Sequence, residues 1–77
     1  MDDHAVVDAR GSFCPGPLME LIVALRRAQV GATIELLSSD AGSAKDVPEW
    51  LNKVGHMLER SEQDGQGVWH IFVRKMK

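Results

Sequence analysis

Seventy-seven residues are expected to form one small domain, 1–77, with no second core and no repeat array. Nine Lys and Arg against eleven Asp and Glu give a net charge of −2, which excludes the basic footprint of a dedicated nucleic-acid binder. The apolar share of 44% is too high for a disordered chain, and no apolar run approaches the ~20 residues of a membrane-spanning helix.

The chain opens on Met1-Asp2-Asp3-His4, acidic where a signal peptide carries basic residues. Its one cysteine cannot form an internal disulfide, whereas short secreted chains usually carry several. A cytoplasmic setting is therefore expected. Ala5-Val6-Val7, bounded by Asp8 and then Arg10-Gly11-Ser12, predicts a strand over 4–8. Leu18, Leu21, Ile22, Leu25 and Ala28 recur at steps of three and four and predict a helix over 15–29. Pro15 and Pro17 suit its first turn, Arg26 and Arg27 its last turns, and Gly31 its end. Residues 32–38 alternate around Ile34 and Leu36 and read as a second strand. Val47, Trp50, Leu51 and Val54 form a second helical stripe ending at Gly55. Its start has two readings. Ser43-Ala44-Lys45-Asp46 has the form of a capping box, while Asp46 can itself cap a helix opened by Val47 and Pro48. Residues 56–63 read as a third strand, and Asp64-Gly65-Gln66-Gly67 as a hairpin turn. The fourth strand, 68–73, is the most apolar of the set.

The order is β-α-β-α-β-β. Right-handed crossovers and the tight last hairpin restrict the topology. With the most apolar strand placed internally, the sheet order is 1-2-4-3 and both helices lie on one face. The expected class is α/β (α+β): a two-layer sandwich with a four-stranded mixed sheet. Trp69, Ile71 and Val73 then face the helices, and Leu37 and Phe72 form an apolar patch on the open face.

Cys14 is the strongest candidate for chemistry. It lies off the helical stripe at the start of a helix, where partial positive charge and unpaired N–H groups stabilise a thiolate. An accessible thiol with a pKa below the free value of about 8.5 is expected. Pro15 and Pro17 leave the N–H groups of Gly16 and Leu18 in the first turn, and Gly16 leaves room for a partner to approach. Arg10 adds a positive charge upstream. Asp8 suits the role of accepting loop N–H groups, and Gly11 that of a left-handed turn residue. Met19 and Val23 fall off the main stripe and can flank the cysteine. His4, His56 and His70 are scattered and lack metal-ligand spacing, so neither a metal nor a cofactor is expected. The three cations Arg74, Lys75 and Lys77 read as a solvated tail, with a docking site for an acidic partner as the second reading.

The stretch Asp8-Ala9-Arg10-Gly11-Ser12-Phe13-Cys14-Pro15-Gly16-Pro17 resembles the Asp-x-Arg-Gly-x-x-Cys-Pro-x-Pro signature of the TusA/SirA-like sulfur-carrier family. Softer similarity at 42–50, at Gly55-His56 and at Arg74-Lys75 extends the resemblance to about residues 5–76. It implies that Cys14 carries sulfane sulfur as a persulfide, with Asp8, Arg10, Gly11, Pro15, Gly16 and Pro17 shaping the site. It also implies a cysteine desulfurase or rhodanese-like donor and a downstream acceptor protein, so that the chain acts as a sulfurtransferase-type carrier without self-contained turnover. The destination could be tRNA thiolation, molybdenum-cofactor synthesis, sulfur oxidation or selenium handling. The alternative is a regulatory or adaptor module that binds a protein partner through the open sheet face without covalent chemistry. An RNA-binding module, also compatible with a two-layer fold, conflicts with the acidic balance. No membrane partner is expected.

Overall fold

The computed structural model describes residues 4–13 and 15–77. Its elements are β1 (His4–Asp8), α1 (Gly16–Arg27), β2 (Thr33–Ser38), α2 (Ala41–Val54), β3 (Met57–Gln63) and β4 (Trp69–Arg74). The sheet order is β1-β2-β4-β3, with β1 parallel to β2 and the other neighbours antiparallel. The predicted class and strand order therefore hold.

Burial alternates along β2 because successive side chains point to opposite faces. Ile34 and Leu36 of β2 and Ile71 and Val73 of β4 meet Leu21 and Leu25 of α1 and Val47 and Leu51 of α2 in one buried cluster. Both helices thus cover the same sheet face, and Trp69 packs at the edge of this core.

Several boundaries differ from expectation. Helix α1 stops at Ala28, whose extended backbone (φ −81°, ψ 161°) ends it three residues before Gly31. Lys75 closes that end: its Nζ donates to the Ala28 carbonyl at 2.8 Å. Arg74 is likewise engaged, donating to Glu59 Oε2 from Nε (3.1 Å) and from its terminal nitrogen (2.9 Å). Arg74 and Lys75 are therefore built into the structure and are not a solvated tail, while Lys77 is exposed. Neither Ser43 nor Asp46 caps α2. The cap is Asp40, whose carboxylate accepts from the Gly42 N–H at 3.2 Å. Ser43 is fully buried and shares a 3.1 Å hydroxyl contact with Ser38 at the end of β2. Burying these two hydroxyls against each other draws the helix start back by a turn. Pro48 then falls inside the helix.

The hairpin forms, but Gly65 is not its left-handed residue. That role falls to Gly67 (φ +83°), while the Asp64 carboxylate accepts from the N–H groups of Gln66 (2.8 Å) and Val68 (3.0 Å).

The open face is not the apolar patch expected of Leu37 and Phe72. Both are half-buried, and the Arg60 guanidinium sits 4.2 Å from the Phe72 ring centroid. Charged residues dominate this face. His70 lies between two carboxylates, with Nδ1 2.7 Å from Glu35 Oε2 and Nε2 2.8 Å from Asp64 Oδ2. Both contacts favour the imidazolium, which donates from both nitrogens, and the His70 pKa is raised from its usual 6.5. A raised folded-state pKa contributes stability that is complete below the unfolded value of 6.5 and is lost as pH rises through the folded value. His56 acts in the opposite sense. Burial and the nearby Lys75 and Lys77 lower its pKa, so its contribution is present above 6.5 and fades as pH falls. The two are separated by difference: His70→Gln should lower the melting temperature more at about pH 6 than at about pH 9. Equal penalties at both values would refute the ion-pair assignment.

Candidate functional site

The candidate residues Asp8, Arg10, Gly11, Pro15, Gly16 and Pro17 occupy the junction between β1 and α1. Cys14, in the middle of this segment, lies outside the described residues, as does its expected accessibility.

The loop is pinned at its first turn. Asp8 at the end of β1 accepts from the Arg10 backbone N–H at 3.1 Å, closing the turn on itself. Its two oxygens also receive the Arg10 guanidinium in a two-point contact, Nε to Oδ1 at 2.8 Å and a terminal nitrogen to Oδ2 at 2.7 Å. These hydrogen bonds hold the Asp8 pKa down at about 2, and Arg10 is raised in turn. The Arg10 charge is therefore held by Asp8 and is not a free cation beside the loop.

Gly11 follows at φ +85°, in the left-handed region that glycine occupies without strain. Its N–H donates to Ser39 Oγ at 2.9 Å, tying the loop to the chain just past β2. The Ser12 N–H closes onto the Ala9 carbonyl at 3.2 Å. A Cβ on Gly11 would meet nothing within 4 Å, so Gly11→Ala should cost only the backbone penalty, about 1–2 kcal/mol. Thermal melts of Gly11→Ala and Gly11→Asn test this. Asparagine tolerates the left-handed region better and should lose less. Equal losses would place the cost elsewhere.

Pro15 occupies the N-cap position of α1 and makes no side-chain cap. Pro17 is buried in the first turn, with φ preset for a helix and no N–H to leave unpaired. Of the two N–H groups that the prolines leave, that of Gly16 is already engaged, donating to the Phe13 carbonyl at 2.7 Å. A Cβ at Gly16 would stand 3.4 Å from Ser12 Cβ, at ordinary van der Waals contact.

Two residues were not foreseen. Ser39 anchors Gly11 from 28 positions away, and no local pattern announces it. Phe13, next to the cysteine in sequence, is 79% exposed. A large apolar side chain just before Cys-Pro, off every periodic stripe, was the available signal. Met19 and Val23 are exposed on the neighbouring flank of α1.

A family model described as sulfurtransferase TusA matches residues 5–75. A candidate sulfur carrier protein of Archaeoglobus fulgidus is 54% identical over 72 residues, covering 94% of this chain and 97% of the relative. The sulfur carrier protein TusA of Pseudomonas putida (strain GB-1) is 32% identical over 71 residues, covering 92% and 88%. Among solved structures, a SirA-like protein of Desulfitobacterium hafniense superposes with a TM-score of 0.83 at 19% identity, covering 95% of this chain and 99% of that one, and shares the fold.

Proposed function

Because the chain belongs to the TusA family of sulfur carriers, we propose that it accepts sulfane sulfur as a persulfide on Cys14 and passes it to an acceptor protein. The observation that carries this reading is the setting of the only cysteine. Cys14 falls between a turn locked by Asp8, Arg10 and Gly11 and a helix that opens at Gly16 behind Pro15.

The chemistry needs one thiol. The Cys14 thiolate attacks the terminal sulfur of a donor persulfide, a new S–S bond forms, the donor's S–S bond breaks, and the donor cysteine leaves as thiolate. The electron count is unchanged and no redox cofactor enters. An acceptor thiolate reverses the roles in the second step. No second cysteine in the chain competes for the bound sulfur, so it stays until a partner arrives. The residues around Cys14 serve to present it: Asp8, Arg10 and Gly11 fix the approach from β1, and Pro15 and Pro17 fix the entry into α1. Gly16 and the exposed Phe13 leave the surface to a docking protein. Donors of the cysteine desulfurase or rhodanese-like class and a sulfur-accepting protein are the implied partners, in a cytoplasmic relay. Among the described residues, no helix is long and apolar enough to cross a membrane.

Incubation with a cysteine desulfurase and cysteine, followed by intact mass measurement without reductant, tests the proposal. A gain of about 32 Da, one sulfur atom, that reductant removes is the expected result. No gain from any desulfurase or rhodanese-type donor would overturn it. Non-covalent docking through the open sheet face is less well supported, since the apolar surface it would use is replaced by the charged groups around His70 and Arg74.

A further inference from the structure

The two edges of the sheet are treated differently. The β3 edge carries Glu59, Arg60 and Glu62 and is broken by a register shift between Leu58 and Arg60. Charges and bulges of this kind keep edge strands from pairing with other chains. The β1 edge has neither over Ala5–Val7, and its register against β2 is regular. The Ala9 N–H points to the Leu37 carbonyl of β2. By the two-residue period of a strand, the N–H and C=O of Val6 therefore point away from the sheet. Beside this edge runs an open groove of about 580 Å³ between β1 and α1. Its α1 wall is mostly apolar, with Met19 57% and Val23 46% exposed, while Val6, in register with Glu35, turns its 57%-exposed side chain to the open face and meets the groove through its backbone. Glu20 lines one end of the α1 wall and Arg27 the other.

We propose that this groove and edge receive a second copy of the chain, with β1 pairing antiparallel to β1 across a two-fold axis at Val6. Three features converge on that axis. Val6 would exchange both backbone hydrogen bonds with its own counterpart, as the outward direction of its polar groups requires. The residues of β1 that line the groove, 5–7, are centred on Val6, and those of α1, 19–28, on Val23 and Ala24, as a two-fold relation of both elements requires. Glu20 and Arg27 are symmetric about the same point, two helical turns apart. A two-fold rotation places each Glu20 beside the Arg27 of the other copy, with Met19 and Val23 closing the apolar space between the helices. A single acidic or basic peptide would meet a like charge at one end of the groove, whereas a second copy satisfies both. The result is a continuous eight-stranded sheet with the α1 helices side by side. The interface is short, so the dimer is no tighter than roughly micromolar.

Sedimentation equilibrium of the full chain, in reductant to exclude a disulfide through Cys14, is the test. The wild type should show a reversible monomer–dimer equilibrium. Glu20→Arg and Arg27→Glu should each weaken it about tenfold or more, since each sets like charges together at both ends of the interface. The double reversal Glu20→Arg/Arg27→Glu should restore it. Val6→Lys, on the exposed side of the edge, should abolish it while circular dichroism stays unchanged. A wild type that is monomeric up to about 1 mM, or a dimer indifferent to all four variants, overturns the proposal. So does a monomeric wild type whose sulfur loading is slowed by Val6→Lys, an outcome that would give the groove to an extended segment of the donor. The sedimentation readouts do not depend on whether Cys14 carries sulfur, so a failed dimer and a failed sulfur carrier are told apart.

Discussion

Cys14→Ser is expected to abolish the persulfide mass gain completely while leaving the melting temperature within a few degrees of wild type. The loss should be total because the chain holds no other sulfur nucleophile of this kind, the four methionines being thioethers that cannot form a persulfide. The fold should tolerate the change because serine differs by one atom and the surrounding turn is held by other groups. Asp8 binds Arg10, Gly11 binds Ser39, and Ser12 binds Ala9, none through position 14. Transfer of labelled sulfur from a loaded donor, with circular dichroism alongside, separates chemistry from folding. Covalent labelling of a folded Cys14→Ser protein would defeat the single-thiol mechanism.

Ile71→Ala is expected to have the largest effect on stability. Ile71 is fully buried on β4 and pairs with Leu36 on one side and Ser61 on the other. Removing its branched side chain leaves a cavity at the centre of the sheet, costing about 2–5 kcal/mol. A domain of this size has roughly 4–12 kcal/mol in total, from about 0.05–0.15 per residue. At about 4–8 °C per kcal/mol, the melting temperature should fall by ~10 °C or more. Phe72→Ala, one residue along, points to the other face, where the ring is half-buried under Arg60, and should cost clearly less. If the two variants melt alike, the assignment of faces in β4 is wrong.

The strands, their order and the helical face of the core were legible because each rests on a local period or a local turn. Ile34 and Leu36 alternate, Leu21 and Leu25 stand four apart, and Asp64 announces the hairpin. The start of α2 was not legible because Asp40, Ser43 and Asp46 stand three residues apart and each can cap a helix. Only the burial of Ser43 against Ser38 decides among them. The end of α1 escaped for a similar reason: its closing group, Lys75, comes from 47 positions away. In the loop before α1 the same division holds. The Asp8 carboxylate taking the Arg10 N–H spans two residues and follows from the sequence pattern, whereas its hold on the Arg10 guanidinium was not read there and the Gly11–Ser39 bond needs β2 in place. The open face misled because alternation tells which residues point outward but not which long side chains will lie over them. Arg60 covers Phe72 from the neighbouring strand.

The position of β4 within the sheet has a consequence for the order in which the protein can be made. Of the four strands it is the last to leave the ribosome, yet it is the one that joins β2 to β3. Until it emerges, β3 has no neighbour to bond and Ile34 and Leu36 lack the side chains of Ile71 and Val73 beside them. Completion of the core therefore waits on residues 69–74, a long-range pairing of the kind that slows folding. Cys14 is synthesised far earlier and passes that interval in an unfinished chain. On the proposed sulfur-carrier role, nascent chains are therefore expected to accept sulfur more slowly than the finished protein, in which α1 is docked and the loop around Cys14 is held.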